Sequence, residues 1–79
     1  MKGRSHRSPR NIYWDGWKTT VRLEPEFWDA LADVARQHGI TAGELASQID
    51  ANRRLDEPLT SALRVFLLTH YRAMAKRRR

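Results

Sequence analysis

The sequence predicts a mainly α-helical domain with one short β-strand, which we expect to pair with the same strand of a second subunit. Three observations support this prediction. Residues 17–23 alternate between apolar and polar side chains, three later segments have helical spacing, and no second convincing strand of equal length is present. A two-stranded pairing is marginal even with a partner strand, so an isolated strand favours pairing between subunits.

The strand at residues 17–23 has two different faces, because strand side chains alternate with period two. One face carries Thr19, Val21 and Leu23 and suits a core. The opposite face carries three residues with hydrogen-bond donors: Lys18, Thr20 and Arg22. Just before the strand, Asp15-Gly16 is a hairpin signal. It leaves open a second arrangement, in which residues 11–14 fold back on the strand within one subunit.

Three helices are predicted after the strand. Helix A runs from about residue 25 to 38, with Pro25 at its start and Gly39 as its C-terminal cap. Helix B runs from about 42 to 53, because Thr41 and Glu44 form a T-x-x-E capping box. Helix C runs from about 60 to 75, and its apolar stripe is wider than one face, which indicates burial on two sides at a dimer centre.

The positive charge is concentrated at the two ends of the chain. The formal net charge is +6: residues 1–22 carry six basic residues against one acid, and residues 61–79 carry six with no acid. This distribution suits a polyanionic partner. Residues 1–10 are expected to form a disordered basic arm, residues 11–75 the folded domain and residues 76–79 a basic tail. The arm could follow phosphates or serve only as a solubility tail.

The order of strand and helices, together with four phrases, resembles the ribbon-helix-helix superfamily of DNA-binding proteins, in its bacterial branch. The phrases are Thr19 to Leu31 with its Leu23-Glu24-Pro25-Glu26-Phe27-Trp28 centre, Gly39-Ile40-Thr41, Glu44-Leu45, and Leu59 to Phe66. The resemblance covers most of residues 16–72. It implies an intertwined homodimer with an antiparallel β-ribbon formed between subunits, here followed by an additional C-terminal helix.

The resemblance also implies roles for individual residues. In this family the outward side chains of the ribbon contact bases in the major groove, which assigns base contacts to Lys18, Thr20 and Arg22. Phosphate contacts are expected at the start of helix B and in the basic arm. The residues are Thr41, Ala42, Gly43, Arg4, Arg7 and Arg10. The residues expected in the dimer core are Val21, Leu23, Phe27, Trp28, Leu31, Leu45, Ile49, Leu63, Phe66 and Leu67.

The sequence gives little support for a metal site, an enzyme or a membrane protein. The chain has no cysteine, and its three histidines lack metal-ligand spacing, so no metal or cofactor is expected. No nucleophile motif or Gly-rich phosphate loop accompanies the acids, so we expect no enzyme and no catalytic residue. The longest apolar run, residues 65–68, is too short to span a bilayer, and a soluble cytoplasmic protein is expected, associated with the nucleoid when bound to DNA.

Two functional classes remain. The first is a dimeric transcriptional repressor that binds double-stranded DNA sequence-specifically. Such dimers could also assemble into higher-order complexes on DNA. The second is an antitoxin-like interaction module that binds a partner protein and autoregulates its operator. Helix C and the basic tail are the candidate segments for such a partner. Because helix C is expected to contribute to the core, the simple regulator is favoured.

Overall fold

A computed structural model describes residues 8–14 and 17–77, apart from the side chains of residues 8, 9, 13, 14 and 17–19. The elements follow in the order β1 (Ser8–Trp14), β2 (Trp17–Leu23), α1 (Pro25–Gln37), α2 (Ala42–Asn52) and α3 (Leu59–Arg77). The two strands form an antiparallel sheet. The predicted mainly helical class, with a β-ribbon and an additional C-terminal helix, is therefore confirmed.

The expectation of a single strand is wrong, because β1 and β2 pair within one chain. Their register joins Ser8 to Leu23 at one end and Trp14 to Trp17 at the other. This pairing is the alternative arrangement that the Asp15-Gly16 hairpin signal indicated. Those two residues themselves lie outside the described part of the chain. Residues 8–10, expected in a disordered arm, belong to β1. Pairing between subunits is not tested by one chain and stays a prediction.

The boundaries of the first two helices follow from their terminal residues. Pro25 is the first residue of α1, and Gly39 adopts a φ of 71° just after its last turn, a conformation that glycine reaches without steric cost. The Thr41 hydroxyl accepts from the Glu44 amide at 3.0 Å, and the Glu44 carboxylate accepts from the Thr41 amide at 2.8 Å. This reciprocal capping box fixes the start of α2 after a connection of four residues, 38–41.

The third helix is longer than expected, since α3 runs to Arg77 rather than to about residue 75. Lys76 and Arg77 are therefore helical and not part of a basic tail. Alanine, lysine and arginine are good helix formers, and positive side chains interact favourably with the negative end of the helix dipole. Both effects favour continuing the helix through this basic segment.

The hydrophobic core lies between the ribbon and the three helices. Most residues expected in a dimer core are buried within the single chain: Val21, Leu23, Trp28, Leu31, Leu45, Ile49, Leu63 and Leu67. Phe27 and Phe66 are only partly buried at the edge of this core. Five further buried residues were not on the expected list: Ile12, Val34, Ala35, Ala46 and Ala62. Whether a second subunit shares this core remains a prediction.

One long-range ion pair joins the end of the ribbon to the last helix. The Arg64 guanidinium donates to Glu24 through Nη2, at 2.9 Å to Oε1 and 3.1 Å to Oε2, and through Nε at 3.3 Å to Oε1. Both side chains are about two-thirds buried, with 31% and 27% exposed. Because Glu24 directly follows β2, this contact fixes the position of α3 relative to the junction of ribbon and α1.

None of the helices within residues 8–14 and 17–77 combines the length and hydrophobicity that crossing a bilayer requires.

Candidate nucleic-acid interface

The outer face of the ribbon carries polar side chains above an apolar inner face. Thr20 and Arg22 are exposed on β2, whereas their neighbours Val21 and Leu23 are buried at 4% and 0% exposure. This alternation is the pattern expected for a strand with one face on the core. Of the three predicted base-contacting residues, two therefore have exposed side chains. Lys18 lies in β2 opposite Tyr13, and its side chain is outside the described part of the chain.

Asn11 joins this outer face from β1, and sequence reasoning did not assign it a role. It pairs with Thr20 in the ribbon register and is exposed. The Thr20 hydroxyl donates to the Asn11 side-chain oxygen at 2.8 Å. This bond orients both side chains, while the Asn11 amide nitrogen keeps its donors and the Thr20 oxygen keeps its acceptor sites. The available signal was the Asp15-Gly16 sequence, because a two-residue hairpin turn predicted there places residue 11 opposite residue 20.

The start of α2 presents backbone donors close to the ribbon. The amides of Thr41 and Glu44 are used in the capping box, and Leu45 donates to the Thr41 carbonyl at 3.0 Å. Within the described part of the chain, no acceptor pairs with the amides of Ala42 and Gly43. Such free amides at the positive end of a helix favour anions. The Glu44 carboxylate turns back onto the cap, which leaves these amides accessible.

Arg10 lies beside this helix start, although the two are 31 positions apart in the sequence, at residues 10 and 41. Its guanidinium carbon is 5.1 Å from the centre of the Trp28 ring, a distance typical of a cation–π contact. Arg10, Trp28, Thr41, Ala42 and Gly43 all line one surface cleft of about 360 Å³. Four predicted phosphate-contacting residues therefore meet at one place. The helix dipole and the guanidinium act together there to attract negative charge.

The other two predicted phosphate contacts, Arg4 and Arg7, lie outside the described residues. The ribbon contributes Arg10 to the cleft because residues 8–14 form a strand, and α2 packs against that strand. The structure thus separates the predicted DNA contacts into an outer ribbon face, which has Thr20 and Arg22, and the cleft at the start of α2.

Several acidic side chains among the described residues form ion pairs with nearby arginines. Three or more potential metal-binding side chains do not cluster anywhere in this part of the chain. Asp33 pairs with Arg36 on the exposed face of α1, and Asp50 pairs with Arg53 at the end of α2. These carboxylates therefore belong to local ion pairs on helix surfaces.

Comparison with known proteins identifies the domain type. A family model described as "Ribbon-helix-helix domain" matches residues 8–71. The matched range begins with β1 and ends within α3, so it includes both strands, α1, α2 and the larger part of α3. A search of curated proteins and a search of solved structures found no match.

Proposed function

Because this chain belongs to the ribbon-helix-helix family, whose members are DNA-binding regulators, we propose that it is a sequence-specific transcriptional repressor acting on double-stranded DNA. The observation that carries this proposal is the exposed polar face of the ribbon, backed by buried Ile12, Val21 and Leu23. A rigid two-stranded ribbon fits the major groove of B-DNA, which is about 12 Å wide. The protein would act in the bacterial cytoplasm, at the nucleoid.

The ribbon side chains have the chemistry that base reading needs. Arg22 and Lys18 can donate to guanine O6 and N7, and the Thr20 methyl group can contact the thymine methyl. Since the Thr20 hydroxyl already donates to Asn11, its oxygen is left as an acceptor for a base amino group. Each good bidentate contact would add about 1–3 kcal/mol of discrimination against the wrong base.

Phosphate contacts would position the ribbon in the groove. The free amides of Ala42 and Gly43 supply directed donors, and Arg10 adds a full positive charge in the same cleft. Arg4 and Arg7 would extend this contact along the backbone as part of the N-terminal segment. Such contacts carry no sequence information of their own, so the ribbon determines which site is read and the cleft determines the register.

A homodimer would read a two-fold operator through paired ribbons. One edge of β2 is occupied by β1, while the other edge is not paired with any strand among residues 8–14 and 17–77. An exposed strand edge is a template for pairing with another chain. Pairing of the two free β2 edges would place two hairpins side by side and present the outer-face residues of both subunits to the groove.

The test of this proposal is a triple variant in which Lys18, Thr20 and Arg22 become Ala. After selection of bound duplexes from a random pool, the affinities of the variant for a selected and a scrambled duplex are compared. We expect the variant to stay folded by circular dichroism and to lose its preference for the selected duplex. A matched control replaces the same three residue types at exposed positions away from the ribbon: Arg54, Thr69 and Lys76.

Both variants lose two positive charges and one hydroxyl group, so the control separates the effect of net charge from the effect of position. Only the ribbon variant should lose discrimination. Undiminished sequence preference in the ribbon variant, or equal loss in the control, would show that the ribbon does not read the bases.

A further inference from the structure

The C-terminal half of α3 carries positive charge that the rest of the chain does not compensate. Arg72, Lys76 and Arg77, which together are called the α3 basic segment below, are all exposed. The sequence has no acidic residue after Glu57. Among the residues that the structure describes, no carboxylate forms an ion pair with any of the three.

The remaining arginines of the helical region differ in this respect. Between residues 25 and 77, each of the other four pairs with a carboxylate of the same chain: Arg36, Arg53, Arg54 and Arg64. Their charge is therefore already compensated within the molecule. The α3 basic segment keeps its whole charge for an anionic partner.

Helix geometry brings two of these charges together. Arg72 and Lys76 are four positions apart in α3, so their side chains are neighbours on one helix face. Like charges at this spacing destabilise a helix by about 0.2–0.5 kcal/mol. An anion bound between the two side chains would relieve this repulsion.

The α3 basic segment lies at the same end of α1 as the cleft at the start of α2. Arg77 lines a surface cleft together with Gln37, the last residue of α1. Beyond Gln37 the chain turns back, because the Ile40 amide donates to the Ala35 carbonyl at 3.0 Å, and it reaches the cap of α2 at Thr41. The four peptide units from Gln37 to Thr41 span at most roughly 14 Å even when fully extended.

We propose that the α3 basic segment is a second phosphate-contacting surface, which binds the DNA backbone beside the phosphates at the start of α2. This inference rests on the proposed DNA binding and adds to it a surface outside the ribbon and the α2 cleft. Double-stranded DNA carries one negative charge per about 1.7 Å of its axis. A phosphate in the α2 cleft therefore has several further phosphates within reach of the end of α3.

The composition of the segment favours DNA over an acidic protein as the partner. Lysine is depleted in protein–protein interfaces, whereas protein–DNA interfaces are strongly positive. Contacts to phosphates carry no sequence information. The α3 basic segment should accordingly increase the affinity for every duplex by the same factor and leave the choice of operator to the ribbon.

The test is the double variant Arg72→Gln/Lys76→Gln of the full chain. Both positions are exposed, so we expect the variant to stay folded, which circular dichroism checks. Its affinity is measured by fluorescence anisotropy at several salt concentrations, for a duplex selected from a random pool and for a scrambled duplex. The slope of log affinity against log salt concentration should be smaller than the wild-type slope on both duplexes.

The expected size follows from the number of contacts. With about 0.9 in slope per phosphate contact, two contacts in each subunit of a dimer contribute roughly 3.6. Between 50 and 200 mM salt, the wild-type affinity should therefore fall about 150-fold more than the affinity of the double variant.

The matched control is Arg54→Glu, which lowers the net charge by the same two units. Arg54 has a side chain that is 82% exposed in the loop after α2, and α2 runs for 11 residues, or roughly 16 Å, from the phosphate cleft to that loop. The control should keep the wild-type slope. A wild-type slope in the double variant would overturn the proposal and leave the segment to an acidic protein partner. An equal reduction in the control would overturn it too, because net charge and not position would then determine the slope.

Ethylation interference locates the contact on the DNA. Phosphates whose ethylation weakens binding of the wild type but not of the double variant are those that the α3 basic segment contacts. We expect such phosphates next to a set that both proteins share, and an identical pattern for the two proteins would contradict the proposal.

The two readouts keep this inference separate from the proposed function. Preference of the wild type for the selected over the scrambled duplex tests the reading of bases by the ribbon. The slope on the scrambled duplex tests the α3 basic segment, because phosphate contacts form on any sequence. Loss of the slope difference with preference intact would contradict the α3 contact alone, whereas absence of preference with the slope difference intact would contradict only the sequence-specific reading.

Discussion

Replacing Arg10 by Gln tests the contribution of the α2 cleft to DNA binding. The substitution keeps a polar side chain on β1 but removes the positive charge next to the free amides of Ala42 and Gly43. It also removes the cation–π contact with Trp28, which is worth about 0.5–1 kcal/mol at an exposed site. The variant should therefore be slightly less stable but still folded, and its DNA affinity should depend less on salt.

The size of the salt effect follows from counterion release. Each phosphate contact adds about 0.9 to the slope of log affinity against log salt concentration. One Arg10 per subunit in a dimer therefore contributes roughly 1.8 to that slope. Between 50 and 200 mM salt, a fourfold change, the wild-type affinity should fall by about 12-fold more than the affinity of Arg10→Gln.

The assay is a set of fluorescence anisotropy titrations of one labelled duplex at several salt concentrations within this range. Arg54→Gln is the matched control, because Arg54 is an exposed arginine whose side chain is 82% accessible in the loop between α2 and α3. Its slope should equal the wild-type slope. A wild-type slope in Arg10→Gln, or an equal reduction in the control, would refute the assignment of the cleft to phosphate.

Two further predictions concern the ribbon and the start of α2. Asn11→Ala should reduce the preference for one base at one operator position by about 1–3 kcal/mol, because an Asn amide can contact adenine N6 and N7. Competition with single-base variants of the selected duplex measures this preference. Unchanged preference at every position would exclude Asn11 from base reading. Thr41→Ala removes the capping hydroxyl and should cost about 1 kcal/mol, which lowers the melting temperature by roughly 4–8 °C. Melting at the wild-type temperature would show that this cap does not stabilise α2.

Much of the helical part of the fold could be predicted because its signals are local. Pro25 at the start of α1, Gly39 after its end and the Thr41–Glu44 capping box all act within a few residues of the boundaries that they define. The alternation in β2 similarly predicted which side chains face the core. The exposed positions of Thr20 and Arg22 follow from that alternation. Local patterns of this kind are readable without knowledge of the tertiary structure.

The first strand could not be predicted with the same ease. Pro9 and Asn11 are residue types depleted in strands, and Ile12 supplies the buried apolar side chain among the described side chains of this segment. The segment becomes a strand because β2 offers an edge with which its backbone can pair. The meeting of Arg10 with the start of α2 depends on that pairing, so it is not visible in the spacing of the sequence. The same holds for the hydrogen bond between Asn11 and Thr20.

The ion pair between Glu24 and Arg64 has a consequence for the order in which the chain folds. The two residues are separated by 40 positions, whereas the hairpin, α1 and α2 are joined by short connections. Contacts of small sequence separation close their loops at lower entropic cost and form early. During synthesis, the bond to Glu24 can form only after Arg64 has left the ribosome. We therefore expect α3 to dock last, and a chain that ends before residue 64 lacks the ion pair that joins Glu24 to α3.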